Sequence, residues 1–138
     1  MENKNPLVMV ADDDEDDRFF LQLAFRESFP GCRVEFASDG VEFLDTLSRK
    51  AARPNLVLLD INMPRMDGWE VLKTMRGNIA YQDIPIVIYS TSDDEMDKST
   101  ARHLRADMYI TKPSAIDELN ELVMRFRREW LEARPIAP

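Results

Sequence analysis

The sequence predicts an α/β fold in which a five-stranded parallel sheet is doubly wound, with helices on both faces. Short apolar runs indicate strands that are buried on both faces. Between them lie longer segments with apolar residues three and four positions apart, a spacing typical of amphipathic helices. The two kinds of segment alternate five times along 138 residues. This alternation predicts a parallel sheet, and the length predicts one domain.

Five strands are predicted, at residues 7–11, 33–37, 56–59, 86–89 and 108–110. Four of these runs are continuously apolar, and the run at 33–37 alternates more. Right-handed crossovers leave few arrangements, and five strands joined in this way commonly take the order 2-1-3-4-5.

Five helices are predicted between and after the strands. Apolar spacing marks the first two, by Phe20, Leu23 and Ala24 and by Val41, Leu44 and Leu47. Ser38 or Asp39 is expected to cap the second helix. The third is predicted at about 68–75. The fourth, at about 94–104, has acidic residues in its first turn, as the helix dipole favours, but few apolar ones, so we expect it to pack weakly.

The fifth helix is predicted to begin at Ser114, because Asp117 follows three residues later in a pattern close to a capping box. Its apolar stripe consists of Ile116, Leu119, Val123, Phe126 and Trp130. We expect a single domain over 1–138, with a core at about 6–131 and a frayed tail at 132–138 that begins near the proline-containing segment "RPIAP".

Composition and charge exclude several classes of function. A formal net charge of −8 argues against nucleic-acid binding, which needs a basic surface. One cysteine excludes an internal disulfide, and one histidine excludes a His-rich metal site. No apolar run is long enough for a membrane span and no signal peptide is recognisable, so a cytoplasmic protein without membrane contact is expected.

Polar side chains follow four of the predicted strands, at the edge of the sheet where parallel strands end and ligands bind. They are Asp12, Asp13 and Asp14 after the first strand, Asp60 after the third, Ser90 and Thr91 after the fourth, and Lys112 after the fifth. Clustered carboxylates repel one another unless a hard cation such as Mg²⁺ binds them. One carboxylate can then act as a nucleophile toward a phosphoryl donor, while the metal and a lysine neutralise the transferring oxygens. The set therefore indicates phosphoryl transfer.

Four segments, "VMVADDDEDD", "LVLLDINMPRMDGWE", "IPIVIYSTSDDE" and "MYITKP", closely resemble the receiver domains of bacterial two-component response regulators. The resemblance covers residues 7–130 and implies a flavodoxin-like, three-layer (βα)5 sandwich. It implies that Asp60 is the phosphoacceptor and that Asp12 and Asp13 bind Mg²⁺ together with it. It also implies that the backbone carbonyl of Asn62 completes the metal site.

The same resemblance implies roles for four further residues. Ser90 would contact the phosphoryl group, and Lys112 would pair with it. Pro113 would follow a cis peptide bond. Tyr109 would be the switch aromatic that turns inward on activation, coupled to Ser90.

The sequence departs from the family pattern in two places. Ser90 stands where Thr is more usual, which keeps the hydroxyl, and Arg105 stands where Gly is common, so the turn before the fifth strand is expected to differ. The fifth helix is predicted to extend through "RFRREWLEA". This extension and the segment "YQDIPIVIYSTSDD" are similar to those of stand-alone regulators paired with phytochrome-like kinases.

The expected function is that of a stand-alone receiver, because no output domain fits after Trp130. It would take its phosphoryl group from a histidine kinase or histidine phosphotransfer protein and catalyse only its own phosphorylation and dephosphorylation. The signal would leave by contact with an unidentified protein, or by relay to another histidine, through the surface of the fourth helix, fifth strand and fifth helix. A monomer or weak homodimer is expected.

Alternative interpretations account for the sequence less well. An EF-hand fails because Asp17 and Leu23 stand where that loop needs Gly and Glu. A phosphatase of the haloacid-dehalogenase type would need Asp at position 62, and a receiver-like protein without phosphorylation would not need the whole acceptor set. Within "ADDDEDD" we expect Asp12 and Asp13 to serve the metal and residues 14–17 to cap a helix and face water.

Overall fold

The fold is a three-layer α/β sandwich around one parallel sheet. The structure is a computed structural model and describes residues 5–132. The strands are β1 (Leu7–Ala11), β2 (Arg33–Ala37), β3 (Leu56–Leu59), β4 (Ile86–Ser90) and β5 (Met108–Thr111). Their order in the sheet is β2-β1-β3-β4-β5, and every neighbouring pair is parallel. The predicted fold class and strand order are therefore confirmed. Residues 133–138, nearly all of the predicted tail, lie outside the described residues.

Five helices connect or follow the strands. They are α1 (Glu15–Ser28), α2 (Gly40–Ser48), α3 (Gly68–Arg76), α4 (Glu95–His103) and α5 (Ile116–Phe126). A π-helical turn, Arg127–Leu131, extends α5. The predicted extension is confirmed as far as Leu131, whereas Glu132 is extended and residue 133, its predicted end, lies outside the described residues. None of the helices within residues 5–132 is long and apolar enough to cross a membrane.

Alternate strand residues face opposite layers, since successive side chains of a strand point to opposite faces. Met9, Val57 and Ile88 pack with residues of α2, α3 and α4. Val10 and Leu58 pack with residues of α1 and α5 on the other face. Burial on both faces explains why the three central strands, β1, β3 and β4, appear in the sequence as continuous apolar runs.

The helices are rotated slightly from their predicted faces. Helix α1 buries Leu21, Ala24 and Phe25, while Phe20, predicted to face the core, is 48% exposed. Apolar residues occur on adjacent helix faces, so their spacing alone leaves the rotation open, and packing on the sheet selects the face. Helix α4 buries only Ala101, which confirms its predicted weak packing.

Aspartates cap the four helices that follow β1 to β4. Asp14, Asp39, Asp67 and Asp94 each accept a hydrogen bond from a backbone N–H of the first turn. The capping box predicted for α5 is wrong. The N-cap there is Ala115 and makes no side-chain hydrogen bond. Because the N-cap is Ala115, one residue after Ser114, Ser114 and Asp117 are out of capping register.

Arg105 has φ 70°, the left-handed conformation that favours glycine. The turn before β5 thus keeps a glycine-like backbone with an arginine in it. Next to it, the buried Arg76 donates to the carbonyl oxygens of Arg105 (2.9 Å) and Ile84 (2.9 Å) and to the carboxylate of Asp107 (2.9 Å). These bonds tie the end of α3 to the turn that leads into β5.

Candidate functional site

Asp12 and Asp13 follow the last residue of β1, at the edge where the parallel strands end. The backbone N–H of Asp12 donates to the carbonyl of Ala37 (3.0 Å), so Asp12 still belongs to the sheet. Its side chain is 1% exposed, and its Oδ1 accepts from the N–H of Asp14 at 2.9 Å. Asp13 is exposed. The structure therefore places one carboxylate of the pair inside the site and one at its rim.

Asp60 follows β3 and lies beside them. Its backbone N–H donates to the carbonyl of Ala11 (2.9 Å), and its Oδ1 accepts from the N–H of Ile61 (2.8 Å). The loop after Asp60 folds back onto it, and the N–H of Gly68 donates to the carbonyl of Ile61 (2.9 Å). A Cβ at Gly68 would lie only 2.1 Å from the Asp60 carbonyl oxygen. Glycine is therefore required where α3 begins.

Lys112 follows β5 and brings the site together. Its backbone N–H donates to the carbonyl of Ser90 (2.7 Å), and its side chain is only 6% exposed. The ammonium lies 2.8 Å from Asp12 Oδ2, 2.6 Å from Asp17 Oδ2 and 3.3 Å from Asp60 Oδ2. The structure thus brings together two of the predicted acids and the predicted lysine, which are far apart in sequence.

Asp17 is a site residue that the sequence reasoning missed. We expected residues 14–17 to cap the helix and face water, and that division of the acidic run is wrong for Asp17. Helix α1 starts at Glu15, so Asp17 is in its first turn, with its N–H donating to the capping Asp14 Oδ1 (2.9 Å). No local signal in the sequence marks Asp17, because the contact that brings it into the site is with Lys112, 95 residues further along the chain.

Burial and charge set the pKa values of these groups. Burial raises the pKa of Asp60 to about 6, with the charge of Lys112 opposing this and the charge of Asp12 adding to it. Burial likewise raises the pKa of Asp12. Burial alone would lower the pKa of Lys112, but its hydrogen bonds to Asp12 and Asp17 outweigh this and raise it. The lysine therefore stays charged beside carboxylates that are costly to ionise.

The three carboxylates among the predicted metal ligands lie close enough together to share an ion. Asp12, Asp13 and Asp60 can each direct one carboxylate oxygen to a common point, with these oxygens within 4.8 Å of one another. An all-oxygen set partly open to water suits Mg²⁺. Asn62 lies two residues after Asp60 on the exposed loop that leads to α3. The donor set therefore fits the predicted metal.

Ser90, at the end of β4, connects the site to α4 and β5. The residue is 1% exposed, and its Oγ accepts from the N–H of Ser92 at 3.1 Å. The hydroxyl of Ser92 donates to Asp97 Oδ2 on α4 at 2.6 Å. The hydroxyl of Tyr109, on β5, donates to the Ser92 carbonyl at 2.8 Å. One short loop thus contacts both the site and two elements of the predicted output surface.

The predicted cis bond before Pro113 is not found. No peptide bond within residues 5–132 is cis, so Lys112 and Pro113 are joined in trans and that prediction is wrong. Trans is favoured by about 0.5–1 kcal/mol in X–Pro bonds, and a cis bond needs a tertiary contact that offsets this difference.

A sequence model described as the response regulator receiver domain matches residues 8–124, most of the chain. The chain belongs to the response regulator receiver family. Receiver domains are signalling domains that take phosphoryl groups from histidine kinases, act on downstream targets and generally bind Mg²⁺ at an acidic pocket.

Among curated proteins, the receiver is 38% identical over 112 residues to the response regulator MprA of Mycobacterium tuberculosis. The matched region covers 81% of this chain but 46% of MprA. The chain thus matches less than half the length of this relative.

Solved structures match the receiver along almost their whole length. The phosphorylated cyanobacterial phytochrome response regulator RcpA is 29% identical, with a TM-score of 0.86 over 98% of this chain and 100% of RcpA. The Mn²⁺-bound response regulator Rcp1 is 28% identical, with a TM-score of 0.81 and coverage of 96% and 99%. Response regulator RPA3017, in red light signaling of R. palustris, is 27% identical, with a TM-score of 0.84 and coverage of 96% and 99%.

Proposed function

We propose that this receiver accepts a phosphoryl group on Asp60 from a phosphohistidine donor, in a reaction that needs Mg²⁺. The observation that carries the proposal is the position of the Lys112 ammonium, which lies within 3.3 Å of both Asp12 and Asp60. Asp13 completes a set of three acids at the same point. A nucleophile, a fixed cation and a divalent-metal site are the components that phosphoryl transfer requires.

The two oxygens of Asp60 have different surroundings. Oδ1 accepts the Ile61 N–H, whereas Oδ2 has a contact of 3.3 Å with Lys112 and serves as the nucleophile. Oδ2 attacks the phosphorus, an O–P bond forms, and the P–N bond to the donor histidine breaks with its electron pair returning to the imidazole nitrogen. Mg²⁺ bound by Asp12, Asp13, Asp60 and the carbonyl of Asn62 would supply positive charge for the phosphoryl oxygens.

Two further side chains contact the oxygens of the phosphoryl group once it is attached to Asp60. Lys112 pairs with one of its oxygens, since the ammonium already contacts the acceptor carboxylate. The Ser90 hydroxyl accepts from the Ser92 N–H, which leaves its own hydrogen for a second oxygen. Serine in place of threonine keeps this donor.

The test of phosphoryl acceptance is incubation with acetyl phosphate and Mg²⁺, followed by intact mass. The receiver should gain one phosphoryl group, which is labile because an acyl phosphate hydrolyses readily. Asp60→Asn should abolish the gain, while Asp83→Asn, at an exposed aspartate paired with Arg53, should leave it intact. Labelling of Asp60→Asn, or repeated turnover of unrelated phosphate esters, would contradict the proposal.

The metal assignment has its own test. Asp12→Ala and Asp13→Ala each delete one of three clustered ligands. In each variant, added Mg²⁺ should therefore no longer increase labelling. The matched control is Asp16→Ala, which removes an exposed acid from the same segment. Undiminished Mg²⁺ dependence in both ligand variants would rule this set out.

We infer that phosphorylation changes the surface formed by α4, β5 and α5. A phosphoryl group that engages Ser90 would disturb the Ser92 loop, which holds Tyr109 and Asp97. Helix α4, with Ala101 as its single buried residue, can move at low cost. Structures with and without beryllofluoride should differ in the position of the Tyr109 ring, and an unchanged ring would refute its role as the switch.

We propose that the receiver signals by protein contact or phosphorelay, as a monomer or weak homodimer. Its structural neighbours of equal extent include regulators named for phytochromes and red-light signalling, so phytochrome-type histidine kinases are the donors to test first. Transfer from such a kinase should be much faster than from chemotaxis kinases. Equal transfer rates from the two kinds of kinase would contradict a phytochrome-type kinase as the donor.

A further inference from the structure

The Lys112 ammonium has a third carboxylate partner, which neither the acceptor nor the metal set includes. Asp17 Oδ2 lies 2.6 Å from Nζ, a shorter contact than those of Asp12 (2.8 Å) and Asp60 (3.3 Å). Asp17 is held at this place by its backbone, because its N–H donates to the capping Asp14. The cap of α1 therefore fixes the backbone from which this carboxylate reaches the lysine.

Three carboxylates surround the lysine before any phosphoryl group arrives. Lys112 donates hydrogen bonds to Asp17 and Asp60 and forms an ion pair with Asp12, and all three carboxylate oxygens lie within 3.3 Å of Nζ. An ammonium has only three N–H donors. A phosphoryl group on Asp60 brings further anionic oxygens to the same cation. One existing contact has to be released if Lys112 is to pair with them.

Asp17 is the partner that can leave at the lowest cost. The side chain of Asp12 is 1% exposed and is also fixed by the N–H of Asp14. Asp60 carries the phosphoryl group itself. The side chain of Asp17 is 32% exposed, so its carboxylate can regain water when it lets go of the lysine.

We propose that Asp17 is a positioning residue that occupies Lys112 until a phosphoryl oxygen takes its place. Its carboxylate stands in for that oxygen in the unphosphorylated receiver. It holds back phosphoryl gain, and it partly neutralises the lysine beside the metal ligands. The inference rests on the proposed function, in which Asp60 accepts the phosphoryl group with Mg²⁺ bound.

The proposal predicts that Asp17→Asn weakens Mg²⁺ binding but speeds phosphorylation. Loss of the negative charge leaves the charge of Lys112 less balanced near Asp12 and Asp60, so Mg²⁺ should bind more weakly. The same loss frees the lysine and lessens the repulsion of an anionic phosphodonor. The rate at saturating Mg²⁺ should therefore rise.

The experiment compares three variants of the 138-residue chain with the wild-type chain. Asp17→Asn removes the charge with little change of shape, and Asp17→Glu restores it on a longer side chain. Asp16→Asn is the matched control, because it removes one charge from an exposed neighbour in the same turn. Mg²⁺ affinity is measured by calorimetry, and the acetyl phosphate reaction by intact mass at saturating Mg²⁺.

For Asp17→Asn we expect a Mg²⁺ dissociation constant and a phosphorylation rate that are each about three- to tenfold higher, the range for a partly exposed charge-assisted contact. Asp16→Asn should match the wild type in both, and Asp17→Glu should return both toward it. A purely structural defect would weaken Mg²⁺ binding and slow the reaction together. That result, or no difference between Asp17→Asn and Asp16→Asn, would overturn the proposal.

The calorimetric measurement needs no phosphoryl transfer, so the two proposals can fail separately. A wild-type protein that binds Mg²⁺ but never gains a phosphoryl group would refute the proposed function. In that case the Mg²⁺ affinities of the Asp17 and Asp16 variants still decide whether Asp17 shields Lys112.

Discussion

Gly68→Ala tests how closely α3 is packed against the phosphoacceptor. An added Cβ would lie 2.1 Å from the carbonyl oxygen of Asp60, 3.0 Å from its carbonyl carbon and 3.2 Å from Cα of Ile61. All three are backbone atoms, which cannot rotate away as a side chain can. The strain must therefore be relieved by moving the start of α3 or the backbone of Asp60.

The size of the effect follows from the overlap. A carbon–oxygen contact needs about 3.3 Å, so the two segments must separate by about 1.2 Å. Overpacking of this severity costs about 3 kcal/mol, and the better helix propensity of alanine offsets about 0.5–1 kcal/mol. A net loss of about 2 kcal/mol lowers the Tm of a 138-residue chain by roughly 7 °C. A shift of about 1 Å at Asp60 should slow phosphorylation up to about 100-fold.

The assays are thermal unfolding and the rate of labelling by acetyl phosphate with Mg²⁺. Gly31→Ala is the control, because the nearest atom to its added Cβ is Phe29 Cε1 at 4.0 Å, and it should leave both quantities close to wild type. If Gly68→Ala matches Gly31→Ala in Tm and rate, then α3 does not constrain Asp60 in the way described.

Three further predictions concern stability. In the metal-free protein the pKa of Asp60 is about 6 in the fold against 3.8 ordinarily, so stability present below about pH 4 is lost as the pH rises through 6. Near neutral pH the free energy of unfolding of Asp60→Asn, measured with urea, should therefore exceed that of wild type by about 3 kcal/mol. This difference should close toward about pH 4 and narrow when Mg²⁺ is added; a difference that is constant with pH would contradict the raised pKa. Arg76→Met should cost about 3 kcal/mol by urea unfolding, because it leaves the carbonyls of Ile84 and Arg105 and the carboxylate of Asp107 without this donor; a change below about 1 kcal/mol would show that water replaces the guanidinium. Arg105→Gly should stabilise the fold by up to about 1 kcal/mol, because glycine adopts φ 70° without strain, and Arg105→Ala, which keeps the strain, should not.

The strands and their order could be predicted because burial on both faces leaves a clear record in sequence. Residues such as Val10 and Leu58 are apolar next to other apolar residues, since each face of the sheet is covered by helices. The face of α1 that packs against the sheet was harder to predict. Phe20 and Leu21 are neighbours of similar hydropathy, and only packing against the sheet buries the second and exposes the first.

The part of the site that could be predicted consists of the residues that directly follow strands. Asp12, Asp60 and Lys112 are brought together because each directly follows a strand of one parallel sheet. Position along a strand fixes the edge on which a residue lies, whatever the details of packing. Asp17 lies on a helix instead, and its contact with Lys112 depends on the direction in which α1 leaves the sheet.

The sequence by itself determined the sheet, its edge and the acids and lysine that meet there, because these follow from hydrophobic pattern and chain connectivity. Tertiary structure alone decided which helix faces are buried, that α5 starts after Ala115, and that Asp17 joins the site. The physical reason is that strands of a parallel sheet end at one edge, so Asp12 and Lys112 are brought together by their positions after strands, although they are far apart in sequence. The contact between Asp17 and Lys112 depends instead on how α1 packs against the sheet, which no local pattern records.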